Sequence, residues 1–243
     1  MDTVMILINT RPKDLSGKIN ELCDQEGIGL QNIYLSKIIP IEIDTDNGVY
    51  KEIFENLDKY SNFIFTSQAA VKNGAKLIKL KSKLLNKKHK FFAVGDSTKQ
   101  ALTSEGYMAI VPDNKSSDGL VEMIKNSFPG KSLVICGDNT NMNLQKKLSG
   151  NSDEIRCYKL EYSKKSIDNI ISSPAIILIY NYLTFEFIFK NLNQDSLKNK
   201  FFVVASERIK SKIIDLSLGF DIKVFVSKSA LDKDMIIKAK EFI

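Results

Sequence analysis

The sequence predicts an α/β protein made of two parallel-sheet domains joined by a two-stranded antiparallel hinge, the first domain discontinuous. Two observations predict it. Short apolar runs alternate with stretches whose apolar residues recur every three or four positions along the 243-residue chain, which is the pattern of parallel strands covered by helices. Two segments depart from this: Ser36 to Asp44 and Glu154 to Tyr162 alternate apolar and polar residues with period two, as half-exposed strands do. Regular strand-and-helix pattern fills the interval between them. The economical reading is a chain that leaves one domain, builds a second, and returns to finish the first. The expected division is residues 1–36 with 162–243, and 37–161, with the two alternating segments paired as the hinge and a cleft between the domains.

Taken in order, the first run is Val4 to Ile8. Asp2 precedes it and no small-residue cleavage site follows, so it reads as a first strand and not as a secretion signal. Ile19, Leu22 and Cys23 mark the helix after it, and Gly29 to Tyr34 is the next strand. The second domain takes its strands from Asn62 to Phe65, Lys90 to Val94, Met108 to Val111 and Ser132 to Cys136, with Leu120, Met123, Ile124 and Phe128 at helical spacing before the last. Ala175 to Tyr180, Phe201 to Val204 and Ile222 to Val226 complete the first domain. Nine core strands result, besides the two alternating segments, in which Pro40 suits an edge where a missing N–H costs little.

Nearly every strand-to-helix turn presents Ser, Thr, Asn or Asp, among them Thr66-Ser67, Ser97-Thr98, Asn139-Thr140 and Ser206. Capping of the free N–H groups explains each one singly. Together they gather at the carboxyl ends of parallel strands, where such sheets bind ligands and helix N-termini favour anions.

Composition narrows the function. Hydrophobic residues make up 43% and charged residues 26%, with 5 Pro and 12 Gly, which is globular composition and excludes collagen-like and disordered classes. The single histidine, His89, and three scattered cysteines, Cys23, Cys136 and Cys157, argue against a metal site and suggest a reducing compartment. His89, flanked by lysines, reads as surface decoration. No run approaches the ~18 apolar residues of a membrane span, so a cytoplasmic location is expected. The net charge of +6 suggests an anionic partner, yet Arg11, Arg156 and Arg208 are the only arginines among 35 basic residues. Nucleic-acid recognition usually brings arginines and interleaved aromatics, so no nucleic acid is expected, and the lysine-rich run Lys79 to Lys90 reads as a solvated helix face. No apolar surface stripe speaks against a monomer.

Familiar motifs fail. Gly130-Lys131-Ser132 precedes a strand, and Lys125 stands where a phosphate-binding loop has glycine. No G-x-G-x-x-G follows a strand and no G-x-S-x-G elbow is present, which removes the usual support for nicotinamide or flavin cofactors and for a serine nucleophile. What is left is chemistry of positioning and polar contact.

The turns read in order are similar to those of the uroporphyrinogen-III synthase family: Thr10-Arg11-Pro12; Phe65-Thr66-Ser67-Gln68-Ala69-Ala70-Val71; Ala93-Val94-Gly95-Asp96-Ser97-Thr98; Ser117-Asp118-Gly119-Leu120; Leu133-Val134-Ile135-Cys136-Gly137; Tyr158; Ala205-Ser206-Glu207-Arg208 and Leu218-Gly219-Phe220. The likeness covers almost the whole chain. Two turns depart: Ile179-Tyr180-Asn181-Tyr182 replaces a second F-T-S turn, and Gly137-Asp138-Asn139 stands where the family often has an arginine. The resemblance implies two flavodoxin-like domains and a cofactor-free enzyme of tetrapyrrole biosynthesis. Such an enzyme takes hydroxymethylbilane, a linear tetrapyrrole with eight carboxylates, removes water, inverts ring D through a spiro intermediate and closes uroporphyrinogen III. Holding a flexible chain in one geometry is a positioning task.

Under that resemblance Tyr158 is the candidate catalytic residue, a phenol able to give a proton to the departing hydroxyl, against the alternative of a half-buried hinge tyrosine. Arg11 is a candidate carboxylate clamp, its alternative being a structural ion pair, and Arg208 repeats that logic, against a helix-surface alternative. Alanine at Arg11 is expected to weaken bilane binding and leave the fold intact. Thr10, Thr66, Ser67, Gly95, Ser97, Thr98, Asn139 and Ser206 complete the implied substrate-binding set. The competing reading is a non-catalytic two-lobed protein that binds a small polyanion.

Overall fold

The structure is a computed structural model that describes residues 5–46, 48–81, 89–138, 143–148, 150–170 and 174–243. In chain order the elements are β1 (Ile6–Asn9), α1 (Gly17–Glu26), β2 (Leu30–Asn32), β3 (Ser36–Pro40), α2 (Gly48–Glu55), β4 (Tyr60–Phe65), α3 (Gln68–Lys81) and β5 (Lys90–Ala93). There follow α4 (Asp96–Ser104), β6 (Ala109–Ile110), α5 (Ser117–Ser127), β7 (Lys131–Gly137), α6 (Asn143–Leu148) and β8 (Ser152–Tyr162). The chain closes with β9 (Ala175–Ile179), α7 (Tyr182–Asn191), β10 (Lys200–Val204), α8 (Glu207–Leu216), β11 (Lys223–Val226) and α9 (Asp232–Ala239). Each of the nine apolar runs contains one strand, and β3 and β8 are the two alternating segments. Of the lysine-rich run, residues 82–88 lie outside the described residues.

The chain divides into two compact units, Met1–Lys37 with Glu161–Ile243, and Ile38–Leu160. The first unit carries a five-stranded sheet in the order β2-β1-β9-β10-β11, parallel throughout, with Leu7 opposite both Leu30 and Ile176 and Phe202 opposite Ile177. Because helices cover both faces, the central strands are continuous apolar runs, and all five residues of β9 are buried. Ile19 and Cys23 of α1, Phe185 and Ile188 of α7, Ile209 and Ile213 of α8 and Met235 and Ile236 of α9 close the core. Phe185 meets the ring of Phe202 edge-on at 5.0 Å. The strand order reverses direction between β1 and β9, so the unit's switch point, where a crevice opens at the carboxyl ends, lies between the turns after those two strands.

The second unit carries a six-stranded sheet in the order β3-β8-β7-β4-β5-β6. Strands β4 to β8 run parallel, and β3 pairs antiparallel with β8 at the edge. The sequence-expected antiparallel hinge pair is present and forms the margin of this sheet, and Pro40 ends its edge strand. One face is closed by Leu120, Val121 and Ile124 of α5 and Leu144 and Leu148 of α6 against Ile64, Phe92, Val134 and Cys136. Helix α3 lies over the other face, so near β7 and β8 that a β-carbon on Gly74 would run into Ile135. The switch point of this sheet lies between β4 and β7. No helix among the described residues is long and apolar enough to cross a membrane.

At the opposite, amino end of this sheet, three strands are tied by polar groups. Tyr60 of β4 donates to Asp153 Oδ2 of β8 at 2.5 Å, and Lys131 Nζ of β7 pairs with the same oxygen at 2.6 Å. His89 is half-buried here and not surface decoration: its Nδ1 lies 2.8 Å from the Tyr60 carbonyl and its ring meets Phe63 edge-on. Burial opposes the charge of Asp153, but the hydrogen bonds from Lys131 and Tyr60 outweigh it and hold the carboxyl below its ordinary range. A carboxyl depressed in the folded state stabilises the fold above its unfolded pKa of about 4, and that contribution is lost as pH falls through the folded value. Asp153→Asn should therefore flatten the acid limb of a melting-temperature profile between pH 2 and 5. An unchanged slope would remove Asp153 from the acid sensitivity.

Candidate active site

In the second unit, three of the residues that matter meet at the switch point between β4 and β7. Strand β4 ends at Phe65, and Thr66 follows with its N–H and its hydroxyl both on the Ile135 carbonyl, at 3.1 and 3.3 Å. This fixes the turn to β7. Ser67 comes next and caps α3, its Oγ accepting the Ala70 N–H at 3.0 Å.

Strand β8 reaches this point through a β-bulge. Ile155 pairs with Ile135 and Arg156 with Cys136, but Gly137 pairs with Tyr158, so Cys157 is the extra residue. An extra residue inverts the side-chain parity beyond it. Arg156 faces outward, bonded to Glu154 and to Asp138, whereas Cys157 and Tyr158 are both buried. By strict alternation Tyr158 would follow Arg156 to the outside; the bulge turns it onto the α3 side instead. There its hydroxyl lies 2.9 Å from Ser67 Oγ. The ring occupies space that a side chain at 137 would fill: a β-carbon there would stand 2.6 Å from Tyr158 Cζ and 2.9 Å from Oη.

Burial pushes the Tyr158 phenol above its ordinary pKa, and the Ser67 hydrogen bond pulls the other way. The phenol is protonated at neutral pH, as a proton donor must be. Burial also pushes the Cys157 thiol up to about 12 and the Cys23 thiol to about 11, so neither is a thiolate nucleophile at neutral pH. Among the described residues no group of three or more His, Cys, Asp or Glu is placed to hold a metal ion.

At the switch point of the first unit, Thr10 is buried and donates to the Leu178 carbonyl at 2.6 Å. Arg11 is 7% exposed, with Nη1 2.6 Å from Asp232 Oδ1 and its guanidinium 4.2 Å from the centre of the Tyr180 ring. Tyr180 donates to the same Asp232 oxygen at 2.8 Å. This is the structural ion pair named above as the alternative to a clamp. It changes the expectation for alanine at 11, because removing one charge of a buried pair destabilises the fold.

Of the other expected residues, those described lie past the ends of β5 and β10, the strands next to β4 and β9 in their sheets. Gly95 is extended and no atom would obstruct a β-carbon on it; it opens α4 with no side-chain cap, beside half-buried Ser97 and buried Thr98. Ser206 caps α8 through the Ile209 N–H at 3.4 Å, and Arg208 is exposed in the first turn. Asn139 lies outside the described residues. Sequence reasoning missed the parts played by Gly137 and Ser67 around Tyr158, and by Asp232 and Tyr180 around Arg11. The signal for the first was a glycine ending an otherwise apolar strand. The second pair lies far from Arg11 in sequence and left none.

The sequence profile described as "Uroporphyrinogen-III synthase HemD" matches residues 22–233. Comparison with curated protein sequences gives no match. Among solved structures, a mutant uroporphyrinogen III synthase from the extremely thermophilic bacterium Thermus thermophilus is similar at 13% identity and a TM-score of 0.65, with 98% of each chain covered. A uroporphyrinogen-III synthetase from Helicobacter pylori is similar at 10% identity and a TM-score of 0.58, with 99% of this chain and 100% of that one covered. These likenesses concern the fold, and the profile, which spans most of the chain, shows that the chain belongs to the uroporphyrinogen-III synthase family.

Proposed function

We propose that this chain is an active uroporphyrinogen-III synthase, a hydro-lyase that closes hydroxymethylbilane to uroporphyrinogen III. The observation that carries the reading, beyond family membership, is the protonated Tyr158 phenol held against Ser67 at the switch point of the second unit, where open α/β sheets take their ligands. In this reading Tyr158 gives its proton to the bilane's hydroxymethyl oxygen, the carbon–oxygen bond breaks, and water leaves as the neighbouring pyrrole supplies the electron pair. Ring closure later releases a proton from carbon, and that proton restores the phenol, so the net change is loss of one water. Carboxylates of the bilane would be taken by backbone N–H groups and hydroxyls at helix starts such as Gly95-Asp96-Ser97, and by Arg208.

The deciding experiment is incubation with freshly prepared hydroxymethylbilane and separation of the type I and type III isomers. Type III product is expected. Type I alone, at the rate of the protein-free control, would overturn the synthase reading and leave a polyanion-binding protein. Tyr158→Phe should slow type III formation by about 100-fold, the lower range of general acid catalysis, with melting behaviour near that of the parent. Full retained activity would remove the acid role.

A further inference from the structure

We propose that Ser67 is a positioning residue for Tyr158: its hydroxyl donates to the phenol oxygen, leaves the phenol's own proton free for the substrate, and stabilises the phenolate formed when that proton is transferred. This rests on the synthase reading and adds to it a direction for the hydrogen bond and a reason for a serine at this turn.

Donor and acceptor counting permits this direction. Ser67 Oγ already accepts the Ala70 N–H at 3.0 Å, and a hydroxyl has one proton to give. The Tyr158 oxygen is 2.9 Å away. With one serine lone pair taken by the Ala70 N–H, the hydroxyl proton is free to point at the phenol and is assigned there. The chain of bonds then runs from the Ala70 N–H through the serine hydroxyl to the phenol oxygen, each donor polarising the next, and it begins at the first turn of a 14-residue helix, whose N-terminus carries partial positive charge. A negative charge appearing on the phenol oxygen is stabilised by this arrangement, and a neutral phenol gains much less. The bulge at Cys157 and the bare α-carbon of Gly137 bring the ring to the serine.

Three substitutions separate this role from capping. Ser67→Ala removes both the cap and the donor. Ser67→Thr keeps both. Ser67→Asp keeps the cap, since a carboxylate accepts the Ala70 N–H well, but it has no proton to donate. Type III formation should fall roughly 10- to 100-fold in the alanine variant, the range of a hydrogen bond to a charged group, through kcat and not KM. It should return with threonine and stay low with aspartate even where aspartate restores the melting temperature. A second readout does not depend on turnover. The ionisation of Tyr158, read as the ultraviolet difference between each variant and the same variant carrying Tyr158→Phe, should move to higher pH by about one unit in Ser67→Ala, tenfold in the equilibrium. An unmoved titration, or activity rescued by aspartate, would overturn the positioning role while leaving the synthase reading in place. Type I product from the parent protein would overturn that reading separately.

Discussion

Alanine in place of Arg11 should lower the unfolding free energy by about 3–5 kcal/mol, the usual cost of removing one member of a buried ion pair. The cost arises from what is left behind. Asp232 is nearly as buried as Arg11, with side-chain exposures of 6% and 7%. Without the guanidinium its charge keeps the Tyr180 hydroxyl as a partner in surroundings that solvate a carboxylate poorly. The Tyr180 ring also loses the cation stacked on it, a contact worth about 2 kcal/mol or more when desolvated. Urea unfolding measures the loss directly. Replacing both partners with apolar residues of similar volume, Arg11→Met with Asp232→Leu, should recover much of the stability, because no charge then remains buried. An Arg11→Ala protein with the parent's urea midpoint and a raised KM for bilane would instead restore Arg11 as a substrate clamp.

This reversal shows where the sequence was informative. Strands β1, β4, β7, β9 and β10 announced themselves because burial on both faces demands runs of apolar residues, and the edge pair β3 and β8 because half-exposure demands alternation. Local chemistry of this kind is written in adjacent residues. The caps were legible for the same reason: Ser67, Ser116, Asn181 and Ser206 each accept an N–H three residues ahead. What decides the fate of Arg11 is Asp232, 221 residues further along, and no spacing rule reaches that distance. Thr10 is similar, its hydroxyl engaged by a carbonyl 168 residues away. Tyr158 was legible as a candidate only through the family's order of turns, and its burial was not, since period-two alternation would have turned it outward with Arg156. One extra residue in the backbone reversed it, and a bulge leaves no fixed residue type as its mark.

Gly137→Ala tests the same feature from the opposite strand. Gly137 is absent from the glycines with positive φ, so alanine costs its backbone nothing, and the whole effect should come from the β-carbon 2.6 Å from Tyr158 Cζ. Contacts that short do not persist, so Tyr158 is expected to shift and lose Ser67. Stability should fall by about 1–3 kcal/mol, as in other overpacked sites. Type III formation should fall by as much as it does in Tyr158→Phe, about 100-fold. The two losses should not add, because both remove one hydroxyl from one position: with Tyr158→Phe already present, Gly137→Ala should change the rate little more. Losses that multiply would mean that Gly137 serves the reaction by another route, for instance by admitting substrate to the backbone of the turn. A Gly137→Ala protein with the parent's rate would show that Tyr158 can work from a second position, and the bulge would then be a matter of folding alone.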